Sequence, residues 1–346
     1  MTNGTQYLRA VQKELYRLAG GSLDSNDVRA ARISTRQRIE LICSPQFRSW
    51  VDSRLVAGKQ VFWIKDMDGT QRAGDVFVDF FRWLVQNNKF CSEGRKHVES
   101  FLRRRLATVS PFACATGDDA TPQAALRLWD TQASGFGLLD FWRLYWLSQI
   151  GVTREERATM LAEFAPHATA CAFPGVIEEN LALEAAGVHV VLVTAGDQEL
   201  AVAVAPGLGI KPENVVGSPL QYTADGYSNG LIHSYDILDQ EWADKPQPGK
   251  DLNFRYWIWC QVANGRWGWS HRDDRKMVIA GIDGDSPSAD LGMMLWLLGA
   301  PATLGHFMVS NPGDTRRLER FYYLSGRYGS TLGRFITLLQ ESPQSA

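Results

Sequence analysis

The sequence has few cysteines and no long apolar run. Its 346 residues include five cysteines, which are widely spaced and form no Cys-x-x-Cys pair. Their spacing excludes the usual zinc and dithiol patterns and favours reduced thiols. No run of about 18 uncharged apolar residues is present, and the first twenty residues lack the apolar centre of a secretory signal. We therefore expect a cytoplasmic protein with no membrane-spanning segment.

The sequence also lacks an excess of either charge. It contains 36 basic and 38 acidic residues, which gives a formal net charge of −2. A balance this close does not favour binding to nucleic acid or to a membrane surface, so a small molecule is the expected partner. The chain is long enough for one large domain or two ordinary ones, and its oligomeric state is left open.

An apolar run that ends in two acids stands out near residue 60. Residues 61–70 read VFWIKDMDGT, so Asp66 and Asp68 follow a predicted buried strand and precede a Gly-Thr turn. Side chains alternate along an extended chain, and both carboxylates can therefore face one crevice at the end of a parallel sheet. One reading makes them a nucleophile and an acid/base, and the other a solvated turn after a core strand. The stretch alone supports both readings.

Helical periodicity dominates the first half of the chain. Helices are predicted for Thr5–Leu18, Asp27–Ile42 and Pro45–Val56, before the first strand. Five more follow that strand, at residues 74–87, 92–106, 124–132, 137–149 and 153–164. About a hundred residues of helix between two strands is too long for a simple crossover, and indicates an inserted helical module.

Strand-like runs return in the second half of the chain. Val188–Val193 is followed by Thr194 and then by a helix starting at Asp197, where backbone amides are suited to bind an anion. A hairpin is predicted around residues 222–232. Two further strands are predicted at 277–282 and 306–309, and a helix from about residue 315.

Four polar motifs fall at strand ends or in the loops that follow them: Asp66-Met67-Asp68-Gly69-Thr70, Thr194, Lys250, and Gly284-Asp285 with Asp290. In this order they resemble the signature of the haloacid dehalogenase superfamily. The run Asp225–Gly230 is similar to a hairpin of its phosphoserine phosphatase-like branch.

The resemblance implies an α/β fold, with a Rossmann-like, doubly wound parallel sheet, an inserted helical cap and an N-terminal helical extension. The implied boundaries are 1–57 for the extension, 58–72 with 174–335 for the core, 73–173 for the cap and 336–346 for a tail.

The resemblance also implies a role for each motif in phosphoryl transfer. Asp66 would attack phosphorus and form an aspartyl phosphate, and Asp68 would act as general acid and base. Thr194 and the amide of Ala195 would hold phosphoryl oxygens, and Lys250 would neutralise charge. Thr70, beside the acids, is grouped with the substrate-binding residues.

A magnesium ion completes the implied site, because clustered carboxylates and a phosphate require a cation. The predicted ligands are Asp66, the backbone carbonyl of Asp68, Asp285 and Asp290. Taken singly, Thr194 and Asp290 could also be a strand-end hydroxyl and a helix N-cap. Asp283 is predicted to be a turn residue.

Lysines mark two departures from the family pattern. Lys65 replaces the usual apolar residue before the first acid, and the stretch between Lys250 and the fourth motif is unusually long. Lys245 and Lys276 are therefore rivals of Lys250 for the active-site lysine.

The predicted cap contains Trp142 and Trp146 four residues apart, flanked by Phe141 and Tyr145. Spacing of this kind favours a packed core stripe. The alternative is a substrate-binding cage for a quaternary ammonium group, and both tryptophans are kept as candidate substrate contacts.

The predicted function is a magnesium-dependent phosphomonoesterase acting on a small molecule, because the second acid supplies the acid/base that phosphatases need. One alternative is transfer of the phosphoryl group to another hydroxyl. The other is a non-catalytic binding protein that uses the aromatic stretch 256–269.

Overall fold

The computed structural model describes residues 32–109, 121–131, 136–232, 250–269, 276–285, 290, 293, 305–310 and 335–339. The predicted helix Thr5–Leu18 and the rival lysine Lys245 lie outside these residues. No helix among the described residues is both long enough and apolar enough to cross a membrane.

A seven-stranded sheet with parallel pairing throughout forms the centre of the fold. In space the strands follow the order β1-β9-β8-β7-β2-β3-β4, and β5 and β6 form a separate antiparallel hairpin. The strands are β1 Arg32–Ser34, β2 Gln60–Lys65, β3 Val188–Asp197, β4 Val215–Ser218, β5 Leu220–Tyr222, β6 Ser228–Ile232, β7 Met277–Gly284, β8 Gly305–Ser310 and β9 Phe335–Leu339. The predicted α/β class with a parallel sheet is confirmed.

Helices cover this sheet and form the segment inserted after β2. They are α1 Thr35–Ile42, α2 Pro45–Val56, α3 Val76–Gln86, α4 Ser92–Val109, α5 Pro122–Asp130, α6 Leu138–Ser148, α7 Arg154–Thr169, α8 Val176–Ala185, α9 Gln198–Val204 and α10 Lys250–Ala263. The five helices α3 to α7 lie between β2 and β3 in the chain, as the sequence predicts.

The central strands are buried on both faces, which explains their continuous apolar runs. Alternate residues of β2 enter two separate apolar clusters: Val61 and Trp63 lie in one, and Phe62 and Ile64 in the other. Helix α10 covers the second face through Phe254. Two covered faces are typical of a doubly wound sheet.

The N-terminal segment differs from the sequence prediction. Residues 32–34 form edge strand β1 beside β9, so the predicted helix Asp27–Ile42 is wrong over these residues, and α1 begins at Thr35. Ser34 ends the strand and caps the helix: its hydroxyl accepts from the Gln37 amide at 3.2 Å, and the Gln37 side-chain oxygen accepts from the Ser34 amide at 2.9 Å. The capping box therefore fixes where the extended chain turns helical.

The last described strand also corrects the sequence prediction. Residues 335–339 form β9, between β8 and β1, where a C-terminal helix and a tail were predicted. The sheet therefore continues past the predicted core boundary at residue 335.

The two chain segments that lead into and out of the inserted helices run side by side. The Ala73 amide donates to the Cys171 carbonyl at 2.9 Å, and the Phe173 amide donates to the Gln71 carbonyl at 3.1 Å. These bonds lie at the predicted cap boundaries, 73 and 173. A third link comes from α7, where buried Arg157 pairs with Asp197 at the end of β3. The inserted helices are therefore linked directly to the edge of the sheet where the motifs lie.

Candidate active site

The first motif turns away from the sheet immediately after β2. The Asp66 amide donates to the Asp283 carbonyl of neighbouring β7 at 3.0 Å, which holds Asp66 at the carboxyl edge. Gly69 then adopts φ +73°, a conformation that L side chains rarely take, and a Cβ at this position would collide with the Asp285 carboxylate. Glycine is thus required for the first and fourth motifs to approach each other.

Three carboxylates meet at this edge. One oxygen from each of Asp66, Asp285 and Asp290 lies within 4.8 Å of the others. All three residues are buried, at 4%, 8% and 0% relative exposure. The second oxygen of Asp290 accepts from the Asp285 amide at 2.9 Å, which orients the Asp290 side chain. We call these three residues together with Lys250 the carboxylate site.

Lys250 is the described lysine that contacts two of the three acids. It starts α10 and is buried, and its Nζ donates to Asp66 Oδ1 and, at 2.5 Å, to Asp290 Oδ1. Burial opposes the charge, but Asp290 and Asp66 more than offset it and raise the pKa of Lys250 above its ordinary value. Lys276 precedes the first residue of β7, at the opposite edge of the sheet.

The charges of the carboxylate site do not balance. Burial raises the pKa of Asp66 from the ordinary 3.8 to about 7; Asp290 adds to this rise and Lys250 opposes it. Among the described residues, three carboxylates share one ammonium, which leaves an excess of negative charge that water does not screen. A proton or a cation is therefore favoured at this position.

Asp68 occupies a different environment from Asp66. Its side chain is 19% exposed, and Oδ1 accepts from the Val76 amide at 2.8 Å and from Arg72 Nη1 at 3.3 Å. Burial still raises its pKa to about 7, with Arg72 opposing the rise and Asp75 adding to it. A carboxyl that titrates near neutral pH can both give and take a proton.

The predicted phosphate-binding residues lie at the same edge. Lys65 pairs in register with Leu192, so Thr194, two residues further along β3, lies level with the start of the first motif. Thr194 is 3% exposed, and its hydroxyl accepts from the Gly196 amide at 2.9 Å. Half-buried Ala195 comes next in the chain. Thr70 donates to Asp66 Oδ2 at 3.3 Å, so it contacts the predicted nucleophile directly.

The aromatic residues of α6 lie inside the cap. Trp142 and Trp146 are 4% and 6% exposed, and the Trp142 ring lies 4.6 Å from that of Phe77. Tyr145 is fully buried and donates to Asp197 at 2.6 Å. This is the core packing that the four-residue spacing favours. Contact of either tryptophan with a substrate stays a prediction.

Asp283 corrects a further expectation. It is a fully buried residue of β7, and its carboxylate lies 2.9 Å from Arg38, whereas a turn residue was predicted. The departure at Lys65 was a signal for this, since a buried ammonium needs a carboxylate partner. Lys65 indeed contacts Glu179 and lies 3.6 Å from Asp283, but neither partner could be identified from spacing along the chain.

Sequence reasoning also missed Arg72. This residue is fully buried four positions after Asp68, and it contacts both Asp68 and, at 2.5 Å, Asp79 of α3. The spacing of four residues to Asp68 was a weak signal, because the turn at Gly69 excludes a helix there.

Several solved structures resemble this fold. A protein of unknown function from Bordetella pertussis Tohama I aligns with a TM-score of 0.45 and 13% identity, covering 81% of this chain and 98% of that one. Cytosolic 5'-nucleotidase IIIB bound to cytidine gives 0.43 and 13%, covering 89% and 92%. A phospho-aspartyl intermediate analogue of phosphoserine phosphatase gives 0.40 and 12%, covering 82% and 94%.

These alignments are too distant to indicate a substrate or a reaction. No protein-family model matches the sequence, and no curated protein matches it. The fold is instead evident from the chain itself: its four motifs meet at the carboxyl edge of one parallel sheet, and a helical segment is inserted after the first. The chain therefore has the parallel α/β fold with an inserted helical segment that the resemblance to the haloacid dehalogenase superfamily implies.

Proposed function

We propose that the chain is a magnesium-dependent phosphomonoesterase that acts on a small molecule through an aspartyl-phosphate intermediate. The observation that carries this proposal is the meeting of Asp66, Asp285 and Asp290 near a second acid, Asp68, with the Lys250 ammonium on the first and third of them. A nucleophile, a charge-neutralising group and an acid/base are the parts that phosphoryl transfer needs.

In the first step, an Asp66 carboxylate oxygen attacks phosphorus while the bond to the leaving oxygen breaks. Lys250 lies against Asp66 and offers its positive charge to the phosphoryl oxygens. The Thr194 hydroxyl and the Ala195 amide hold the same oxygens at the end of β3. Thr70 donates to Asp66 and fixes the orientation of the attacking group.

Asp68 moves the proton in both steps. In its acid form it protonates the departing alkoxide, and in its base form it takes a proton from the water that hydrolyses the aspartyl phosphate. The pKa of about 7 suits both tasks, since each form is well populated at neutral pH. Arg72 and the Val76 amide hold the carboxylate in place, because both donate to its Oδ1.

The carboxylate site fits a magnesium ion. Its donor atoms are carboxylate oxygens, which hard divalent cations prefer, and its excess negative charge requires a cation. Asp66, Asp285 and the Asp68 backbone carbonyl would hold the ion, with Asp290 in or next to its coordination sphere. When bound, the ion would neutralise charge on the phosphoryl group.

The cap is proposed to select the substrate, and Trp142 and Trp146 remain its candidate contacts. Burial of both rings in the cap core favours a packing role over an open aromatic cage. A substrate contact would therefore involve a ring edge rather than a whole ring face. We expect the enzyme to act on a soluble metabolite in the cytoplasm.

A panel of phosphomonoesters assayed with Mg²⁺ tests this proposal. Wild-type protein should release phosphate from at least one member, and Asp66→Asn should lower the rate at least ~10³-fold, because a neutral amide is a poor nucleophile. Asp130→Asn neutralises an exposed carboxylate of α5 and should leave the rate unchanged. A folded wild-type protein that hydrolyses no member would refute the proposal. Adding alcohol acceptors would show whether water or another hydroxyl receives the phosphoryl group.

A further inference from the structure

Behind the carboxylate site lies a second group of charged side chains. Arg38 contacts Glu179 at 2.6 and 2.7 Å and Asp283 at 2.9 Å, and Lys65 contacts the same two carboxylates. All four residues are at most 1% exposed. We call these four residues the rear cluster.

The rear cluster is balanced in charge. It contains two cations and two carboxylates, and each cation contacts both carboxylates. Although burial opposes ionisation, Arg38 and Lys65 lower the pKa of Glu179, which keeps that carboxylate charged. Buried ion pairs are rarely more stabilising than apolar side chains of the same volume. Stability alone therefore does not account for a rear cluster at this position.

The location of the rear cluster suggests another role. Lys65 immediately precedes Asp66, and Asp283 lies two residues before Asp285. Lys65 and Asp283 are directly paired in register, and the Asp66 amide donates to the Asp283 carbonyl at 3.0 Å. The rear cluster thus joins the last residues of the two strands that carry the acids of the site.

Helices α1 and α8 supply the other two members. Arg38 of α1 and Glu179 of α8 reach the strand ends from the face of the sheet on which Val61 and Trp63 lie. At the carboxylate site, the carboxylates of Asp66 and Asp285 repel each other, and this repulsion acts to separate the same strand ends. Attraction within the rear cluster opposes this repulsion.

We propose that the four residues of the rear cluster are positioning residues, which hold the ends of β2 and β7 together so that Asp66 and Asp285 share one cation. The expected effect of the rear cluster on catalysis rests on the proposed function. Its expected effects on the pairing of β2 with β7 and on metal binding do not depend on any substrate.

The double variant Lys65→Met with Glu179→Gln tests the proposal, because it removes one charge of each sign and leaves the Arg38–Asp283 pair intact. We expect the affinity for Mn²⁺ alone, measured by calorimetry, to fall about 10–100-fold, as for other groups that orient metal ligands. Hydrogen exchange in peptides covering 60–70 and 277–285 should accelerate, since it reports the pairing of β2 with β7. The turnover number should fall by about 10²-fold through misplacement of Asp66.

Lys211→Met with Glu184→Gln provides a matched control. It makes the same two substitutions in a more exposed ion pair, and Glu184 lies on the same helix as Glu179. This control should leave Mn²⁺ affinity, turnover and exchange of the two peptides unchanged.

A lower melting temperature with unchanged Mn²⁺ affinity and unchanged exchange would overturn the proposal and leave the rear cluster a purely structural feature. If the double variant does not fold, Glu179→Asp takes its place, since it keeps the charge but withdraws the carboxylate by one carbon. The same loss of Mn²⁺ affinity and of protection is expected, and its absence refutes the proposal. If wild-type protein hydrolyses no phosphomonoester, the proposed function fails, but exchange and Mn²⁺ affinity still decide the role of the rear cluster.

Discussion

The rear cluster and the carboxylate site lie on the same two strand ends, but their charges are arranged differently. The rear cluster has one cation for each carboxylate, whereas the carboxylate site has three carboxylates for one lysine. In the rear cluster, each carboxylate lies against two cations of the protein itself. In the carboxylate site, burial and then Asp290 raise the pKa of Asp66 to about 7, which favours a proton or an added cation there. Both groups are buried, so the number of cations per carboxylate, rather than burial, distinguishes them.

The largest expected effect comes from removing one carboxylate from each cluster. Glu179→Gln leaves two buried cations with one carboxylate, and should destabilise the protein by about 3–5 kcal/mol. Asp285→Asn relieves repulsion instead, and should leave the melting temperature of metal-free protein unchanged or raised. Denaturant unfolding in EDTA measures both effects.

Adding Mg²⁺ should change the difference in stability between wild-type protein and Asp285→Asn. It should stabilise wild-type protein by preferential binding to the folded state, and this stabilisation should be largely lost in Asp285→Asn. Equal destabilisation by the two variants would contradict the comparison.

The second prediction concerns the only cation of the carboxylate site. Lys250→Met should lower turnover by about 10²–10³-fold, because a group that stabilises charge in the transition state is lost. Affinity for Mn²⁺ should not fall, since the variant makes the site more negative. Lys276→Met is the matched control, because Lys276 precedes β7 at the opposite edge of the sheet, and it should keep full activity. A loss of Mn²⁺ affinity in Lys250→Met would contradict the assigned role.

The third prediction is that Asp66 and Asp68 give a pH dependence of stability opposite to that of Glu179 in metal-free protein. The pKa values of Asp66 and Asp68 are raised from 3.8 to about 7, so the stability they contribute is complete below about pH 4 and is lost as pH rises to about 7. The pKa of Glu179 is lowered, so its contribution is present above about pH 4.5 and is lost as pH falls further.

In EDTA, the melting temperature should therefore fall as the pH rises from about 4 to about 7. Mg²⁺ should reduce this decline, because it favours the ionised carboxylates. Asp66→Asn should remove part of the slope. A melting temperature that rises steadily from pH 4 to 7 without metal would contradict the raised pKa values.

The sequence predicts the elements whose signals are local. Strands such as β2 and β7 are continuous apolar runs that end in acids, and the cap helices show clear periodicity. Residues 32–34 and 335–339 carry no comparable signal, because each is a short strand at or near the sheet edge. They pair with each other across about three hundred residues of chain, which local pattern does not reveal.

The distinction between local and long-range signals also applies to the residues of the site. The motif acids were identifiable because the family pattern fixes their order, and Lys250 could be separated from Lys276 only by its position at the carboxyl edge. Lys65 was recognisable as an anomaly, but its partner Glu179 lies 114 residues away on a helix. A buried charge predicts that a partner exists, whereas only the fold identifies it.

The smallest expected effect tests whether burial, as well as charge balance, determines how much an ion pair contributes to the free energy of unfolding. Arg82 and Asp130 form an ion pair at 2.7 Å between α3 and α5, with side chains 36% and 53% exposed. Because water screens both charges, Asp130→Asn should change the free energy of unfolding by less than about 1 kcal/mol. Glu179→Gln, which removes the same charge from a buried position, should cost several times more. Comparable costs in the two variants, measured by denaturant unfolding, would show that burial does not amplify the charge interactions of the rear cluster.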